Sequence, residues 1–211
     1  FFGGKLFKFG KMEKVSKARM QGWYPGMEGG NALANILFGK TNPSGKLPVT
    51  FAYDYTDYPA HAVGEYPGDG VNVEYKDDIY VGYRYFDTFK KEVAYPFGHG
   101  LSYTSFEYGK VNLSESDLNK EKVIRFEIEI TNTGNYDGAE VVQVYVSDIE
   151  SELERPLKEL KAFEKVFIKK GESKKIIFEL NESAFSYFHP EKRSWIREPG
   201  EFEIMIGASS D

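Results

Sequence analysis

The chain has no cysteine at all. That excludes a disulfide framework, a thiolate nucleophile and any sulfur-ligated metal centre. Histidine is scarce as well. The three, His61, His99 and His189, stand far apart and show no H-x-x-x-H or comparable ligand spacing. No metal and no cofactor is therefore expected. No apolar run approaches the roughly 20 residues that a membrane-spanning helix needs. Positive charge is in deficit, and a net charge of −6 argues against nucleic acid as a partner. Glutamine is rare beside abundant lysine and glutamate, a balance that leans toward a heat-adapted source. The opening Phe1-Phe2-Gly3-Gly4-Lys5-Leu6-Phe7-Lys8-Phe9 is too short and too interrupted for the apolar core of a signal peptide, so a cytoplasmic location is expected.

What is present is apolar mass. Hydrophobic residues make up 41% of the 211 and aromatics 16%, enough for a packed core in one or two domains. The pattern divides the chain in three. Residues 1–79 read as a partial α/β segment. Residues 12–21, with Val15 and Ala18 among lysines, predict one short amphipathic helix. Residues 28–38 predict a second, with Leu33, Ile36 and Leu37 on one face and Glu28 near the positive end of its dipole. Lys46 to Phe51 reads as a short edge segment, because Pro48 bars a central strand. Residues 52–79 form a long excursion whose tyrosines (Tyr53, Tyr55, Tyr58, Tyr66, Tyr75) predict that it is packed down.

Residues 80–103 read as an aromatic linker or hinge. They hold Tyr80-Val81-Gly82-Tyr83-Arg84-Tyr85-Phe86 and Pro96-Phe97-Gly98-His99-Gly100-Leu101-Ser102-Tyr103. From residue 104 to 211 the period switches to two. Ile124, Phe126, Ile128 and Ile130 form one apolar face, Val142, Val144 and Val146 a second, Ile176, Phe178 and Leu180 a third, and Phe202, Ile204 and Ile206 a fourth. The segments 106–113 and 160–168 add two more strands. Turn residues separate these runs, so the segment predicts an antiparallel sandwich of six strands. The fold class is mainly β, an immunoglobulin-like sandwich behind a partial α/β segment with two short helices.

These motifs carry a resemblance. Trp23-Tyr24-Pro25-Gly26-Met27-Glu28-Gly29-Gly30-Asn31-Ala32, Leu37-Phe38-Gly39 and Asn42-Pro43-Ser44-Gly45-Lys46-Leu47-Pro48 resemble the late part of the second domain of glycoside hydrolase family 3, the β-glucosidases. The two aromatic motifs of residues 80–103 resemble that family's passage into its third domain. Asn132-Thr133-Gly134, residues 138–146 and Arg155-Pro156-Leu157-Lys158-Glu159-Leu160 are similar to its C-terminal fibronectin type III-like domain. The resemblance implies a barrel domain with a nucleophilic Asp and an acid/base Glu early in the α/β domain, both upstream of Trp23. It also implies that the sandwich's final strand is missing, and that residues 1–11 are not the strand the family places there. The expected partner is the upstream catalytic barrel portion of the same enzyme, or another copy of the chain.

No residue is therefore expected to be catalytic, and none is singled out for substrate binding. Retaining glycosidases need two carboxylates about 5–5.5 Å apart. Asp54 with Asp57 and Asp77 with Asp78 sit on a polar excursion and read as solvated. Glu28 reads as helix-start electrostatics and His99 as a turn residue bridging backbone groups. Asn42-Pro43-Ser44-Gly45 is no nucleophile elbow. The tyrosine run 80–86 reads as a domain clamp rather than a sugar platform, and Tyr187 with Trp195 as a hairpin packed on the sandwich. Three functions compete: an enzyme's C-terminal part serving as its structural accessory, a carbohydrate-binding module, and an assembly unit. A binding module would show a row of exposed aromatics on one sheet face. The outward faces read Arg, Glu, Thr, Gln and Lys, with Tyr145 as the aromatic exception.

Overall fold

The computed structural model describes residues 16–64, 66–114, 116–118 and 122–211. Strand β3 (Val123–Asn132) is the spine of one sheet. Along one edge it pairs with β6 (Ser173–Asn181), and along the other with β1 (Phe106–Tyr108) and β2 (Asn112–Leu113). The second sheet is β5 (Glu159–Ile168), β4 (Gly138–Asp148) and β9 (Phe202–Gly207), in that order. Every pairing is antiparallel. The alternating residues meet between the sheets: Ile124, Phe126, Ile128 and Ile130 with Ile176, Phe178 and Leu180 on one side, Val142, Val144 and Val146 on the other. Phe126 and Phe178, opposite each other in register, stack at 5.6 Å. Aromatic pairs of this kind add about 0.5–1.5 kcal/mol beyond their buried area.

The mainly β sandwich is as the alternation predicts, with two differences in strand count. The segment expected as one strand over 106–113 is broken. Gly109 donates its N–H to Glu129 O at 2.8 Å and lies so close to that oxygen that an added Cβ would sit 3.0 Å from it. Lys110 and Val111 then leave the ladder. The second difference is a separate hairpin, β7 (Tyr187–His189) with β8 (Ser194–Ile196), inserted before β9.

The first half holds α1 (Gly29–Leu37), a 3-10 turn over Tyr55–Asp57, α2 (Pro59–Ala62) and α3 (Tyr83–Thr88). The helix expected over 12–21 is not formed at residues 16–21, and 12–15 lie outside the described residues. Residues 16–21 carry only Ala18 and Met20 as apolar positions and so offer no face to pack, and short helices depend on packing. Arg19 instead reaches the Tyr95 hydroxyl. Helix α3 falls inside the aromatic run and follows Gly82, whose φ of +60° suits glycine. Residues 47–51 run antiparallel to 95–99: Gly98 donates to Leu47 O at 2.8 Å, Leu47 to His99 O at 2.9 Å, and Phe51 to Tyr95 O at 2.8 Å. The excursion is packed down only in part. Tyr58 accepts the Ala52 N–H, donates to Thr50 O and meets Phe86 edge-on at 5.7 Å, whereas Tyr53, Tyr55, Tyr66 and Tyr75 are exposed.

One polar side chain closes the sandwich at the joint end. Asn132 is fully buried. Its Nδ2 donates to Tyr136 O at 2.8 Å and Ile168 O at 3.0 Å, and its Oδ1 accepts from Thr104 Oγ1 at 2.6 Å and from the Gly134 N–H at 3.2 Å. It therefore ties both sheets to the segment leaving the linker. Asn132→Ala leaves these partners without a replacement. We expect a loss of about 3 kcal/mol, read as a lowered urea midpoint at unchanged slope.

Candidate functional site

The most specific geometry in the molecule is where residues 80–103 meet the outer face of the β4–β9 sheet. Phe97 stacks on Tyr83 of α3 at 4.7 Å, and Tyr83 meets Tyr145 of β4 edge-on at 5.9 Å. The Leu160 N–H donates to the Tyr83 hydroxyl at 2.7 Å. The Tyr145 hydroxyl donates to Gln143 Oε1 at 2.6 Å, while Gln143 Nε2 donates to Ala208 O at 2.7 Å and Gly98 O at 3.4 Å. Burial pushes the Tyr145 hydroxyl well above the usual tyrosine range. The Ser210 N–H donates to Phe97 O at 2.8 Å. Both glycines flanking His99 are sterically required. A Cβ on Gly98 would lie 2.3 Å from Gln143 Oε1, and one on Gly100 would lie 2.2 Å from Gly45 O.

Around this aromatic centre run two polar straps. Asn42 donates to Asp137 O at 2.9 Å and accepts from Ser102 Oγ and the Tyr103 N–H at 2.9 and 2.8 Å. Lys46 bonds Glu140 of β4 at 2.8 Å and Gly100 O at 3.2 Å. The Asn42-Pro43-Ser44-Gly45-Lys46 turn is thus a strap across the joint and not a nucleophile site. On the other side Glu159 of β5 receives Arg155 at 2.6 Å, Arg84 of α3 at 3.0 Å and Lys161 at 3.2 Å. Burial pushes the Glu159 carboxyl up, but Lys161, Arg155 and Arg84 outweigh it and hold the carboxyl below its ordinary value. Asp87 of α3 faces Lys158 at 3.4 Å, and burial raises its carboxyl.

The residues singled out in the sequence fall mostly into structural roles. Glu28 precedes α1 and accepts from Asn31 Nδ2 at 2.6 Å. Asp54 and Asp57 cap the 3-10 turn reciprocally, Asp54 accepting the Thr56 N–H while its own N–H donates to Asp57 at 2.9 Å. His61 is held between Tyr55 and Tyr66 at 4.9 and 5.0 Å. His99, expected to bridge backbone groups through its ring nitrogens, engages the turn through its own backbone instead and lays its ring by Tyr95 at 5.1 Å; burial and Lys46 push its pKa down. His189 Nδ1 accepts the Lys192 N–H at 3.2 Å. Beside His99 an open groove of about 720 Å³ is lined by Tyr53, Asp87, Lys90, Lys91, Tyr95 and Lys158 among others.

Two readings of the outward faces change. Tyr145, the expected exposed aromatic, is only 2% exposed beneath Tyr83. The aromatics that do face solvent on this sheet are Phe163 and Phe167 of β5, opposite Gln143 and Ala139. On α1, Leu37 is exposed and Phe38 just beyond it is exposed too, so that helix covers a sheet nowhere in the described residues.

A fibronectin type III-like sandwich clamped to a partial α/β unit through tyrosine and glycine is the class that fold and joint define. Comparison with known proteins places it. The model of the glycosyl hydrolase family 3 C-terminal domain matches residues 3–103, and that of the fibronectin type III-like domain matches residues 140–210. The chain belongs to glycoside hydrolase family 3, as its C-terminal part. It is 45% identical over 193 residues to a β-glucosidase of Bacteroides ovatus, covering 90% of this chain and 26% of that protein. It is 40% identical to an exo-α-(1→6)-L-arabinopyranosidase of Bifidobacterium breve, over 98% of this chain and 27% of that one. The crystal structure of the Kluyveromyces marxianus β-glucosidase with glucose superposes with a TM-score of 0.92 at 39% identity, covering all of this chain and 25% of its own. The chain thus spans about a quarter of the length of the relatives it matches.

Two tests probe the joint. Gly98 adopts φ of +79° and has Gln143 against its Cα, so Gly98→Ala is expected to destabilise the chain by about 1–3 kcal/mol in urea unfolding. Glu159 tests the charged strap. A carboxyl held low in the fold contributes stability that is complete above its ordinary value of 4.5 and is lost as pH falls through the lower folded value. The urea midpoint of Glu159→Gln should accordingly fall less than that of the parent between neutral pH and about pH 3.

Proposed function

We propose that this chain is the non-catalytic, structural part of an enzyme that hydrolyses terminal β-linked sugars, and that the catalytic carboxylates lie in the remaining polypeptide. One observation carries the proposal: the chain aligns over nearly its whole length with glycosidases of which it forms about a quarter. The acidic residues it does hold support the same reading. Asp54, Asp57, Glu140, Glu159 and Asp87 are each engaged in caps or ion pairs that hold the fold together. The β-glucosidase names among its relatives favour a β-glucoside; the arabinopyranosidase shows that the same C-terminal architecture serves another sugar.

The partner is the rest of that enzyme. The exposed Leu37 and Phe38 at the end of α1 and the exposed Phe163 and Phe167 on β5 are the contacts it would cover. Tyr103 donates to Ile36 O at 2.9 Å and Asn42 donates to Asp137 O, which brings the end of α1 to the start of β4, whose Ala139 opposes Phe167. One body can therefore cover both patches, and burying such side chains contributes about 1.5–3 kcal/mol each.

The chain alone is expected to release no aryl alcohol from an activated aryl β-glucoside above the buffer rate. Grafted in place of the matching quarter of the Kluyveromyces marxianus enzyme, it should restore a turnover that the truncated enzyme lacks. Turnover by the chain alone, abolished by replacing one of its acidic residues, would overturn the proposal.

A further inference from the structure

The hairpin β7–β8 presents an aromatic surface that the joint does not use. Its sequence carries Tyr187, Phe188 and Trp195, and the structure sends them in opposite directions. Tyr187 turns inward, with the Arg155 guanidinium 4.5 Å over its ring and its hydroxyl on Glu198. His189 turns inward too. The hairpin is therefore anchored by its inner face and owes little to its outer one. On the outer face Trp195 is 71% exposed. Phe188, its cross-strand partner, supports the indole edge-on at 6.0 Å and 74°. Large apolar side chains left open to water in a fixed orientation mark contact sites more often than isolated ones do.

The indole borders a shallow, open depression. With the 3-10 turn Glu182–Phe185 it lines a cleft of about 300 Å³, together with Glu182, Ser183, Ser186 and Arg197. Arg197 Nε pairs with Glu182 Oε1 at 3.4 Å, so donor and acceptor lie side by side at the rim. The two hydroxyls are fixed: Ser183 Oγ donates to Asn181 Oδ1 at 2.6 Å, and Ser186 Oγ to Glu182 O at 2.8 Å.

We infer that this cleft is a saccharide-binding site, with Trp195 as the platform on which a pyranose ring stacks. A pyranose has an apolar C–H face bordered by equatorial hydroxyls. It needs one aromatic face and, around it, groups that both donate and accept. Trp195 with the Arg197–Glu182 pair and the fixed serine hydroxyls supplies both. A protein partner is less well matched. A stable protein contact needs about 800 Å² per side with an apolar centre, whereas this cleft is small, open and bordered by polar groups. Nucleic acid is disfavoured by the net charge of −6. The site is distinct from the joint and would hold a neighbouring stretch of polysaccharide while cleavage proceeds elsewhere. The choice of a glucan as ligand rests on the proposed function; the cleft itself does not.

The test uses the chain as it stands. It has two tryptophans, so Trp23→Phe leaves Trp195 as the only indole. Fluorescence of that variant is titrated with cellotetraose and laminaritetraose, and mobility is followed in native gels containing soluble β-glucan, xylan or mannan. We expect a saturable indole change with a Kd of about 1 mM and retardation by β-glucan. Trp195→Ala, with its urea midpoint unchanged, should lose the retardation, and Arg197→Met should weaken binding about tenfold. No retardation by any polysaccharide, or retardation that persists in Trp195→Ala, overturns the site. Retardation by xylan or mannan and by no glucan overturns the ligand. Loss of activity of the grafted enzyme on Trp195→Ala, without any saccharide binding by the chain, would make the patch a protein interface and overturn it as well. Failure of the graft itself bears on the proposed function and leaves the titration unaffected.

Discussion

The turn at residues 96–99 can reach β4 only because Gly98 has no side chain. Gln143, pointing away from the sandwich core, fills the space a Cβ would take and spends its amide on Gly98 O and Ala208 O. Its Oε1 is occupied by the Tyr145 hydroxyl, and Tyr145 in turn supports Tyr83, which supports Phe97. These contacts form one connected cluster, hydrogen-bonded from Gly98 through Gln143 to Tyr145 and packed ring on ring from Tyr145 through Tyr83 to Phe97, with the Tyr83 hydroxyl satisfied by the Leu160 N–H. A buried network of this kind stabilises when complete and penalises any gap. The rest of the first half hangs from it. The 47–51 segment pairs with 95–99, Tyr58 rests on Phe86, and the Asn42 and Lys46 straps draw the turn after α1 onto the start of β4.

That constraint explains why β4 is buried on both faces. Alternation in the sequence marks Val142, Val144 and Val146 as inward and leaves Gln143, Tyr145 and Ser147 for water. The inward set is correct, because the hydrophobic period of two is a local property that the other sheet satisfies. Gln143 and Tyr145 are covered by Gly98 and Tyr83, far earlier in the chain, and no local pattern records that. The same blindness hides α3. An aromatic run reads as a clamp with no secondary structure assigned, and only the tertiary fit of Tyr83 and Phe86 makes it a helical turn. Gly109 shows the converse case: one glycine pressed against a neighbouring carbonyl breaks a strand that the apolar pattern would have continued. Joint motifs were legible because glycines and aromatics at fixed spacing are costly to keep without a geometric need.

The charges sort by the same logic. Most surface ion pairs contribute about 0–1 kcal/mol and specify little. Arg125–Glu179 and Lys175–Glu127, across β3 and β6, are of that kind. Glu159 is different. It is half sheltered and gathers one cation from α3, one from the 148–159 crossing and one from its own strand. Removing any of the three leaves two, so the strap tolerates single losses while still favouring one docking pose. Lys158 with Asp87 and the Leu157 N–H on Thr88 Oγ1 at 2.8 Å add to that pose from adjacent positions.

Among the many apolar groups left exposed, two sets differ in their settings. Leu37, Phe38, Phe163 and Phe167 lie on elements that stop short of a covering layer, which is how an interior face looks when its partner belongs to another part of the polypeptide. Trp195 and Phe188 lie on a hairpin that is already anchored from below by Tyr187 and His189 and is bordered by an ion pair and two serines. A face awaiting a protein layer has no use for fixed polar groups around a single ring, since each would need a partner in the dry interface. A face meant to stay wet and meet a sugar does. The difference between the two aromatic patches therefore lies less in how exposed they are than in what surrounds them.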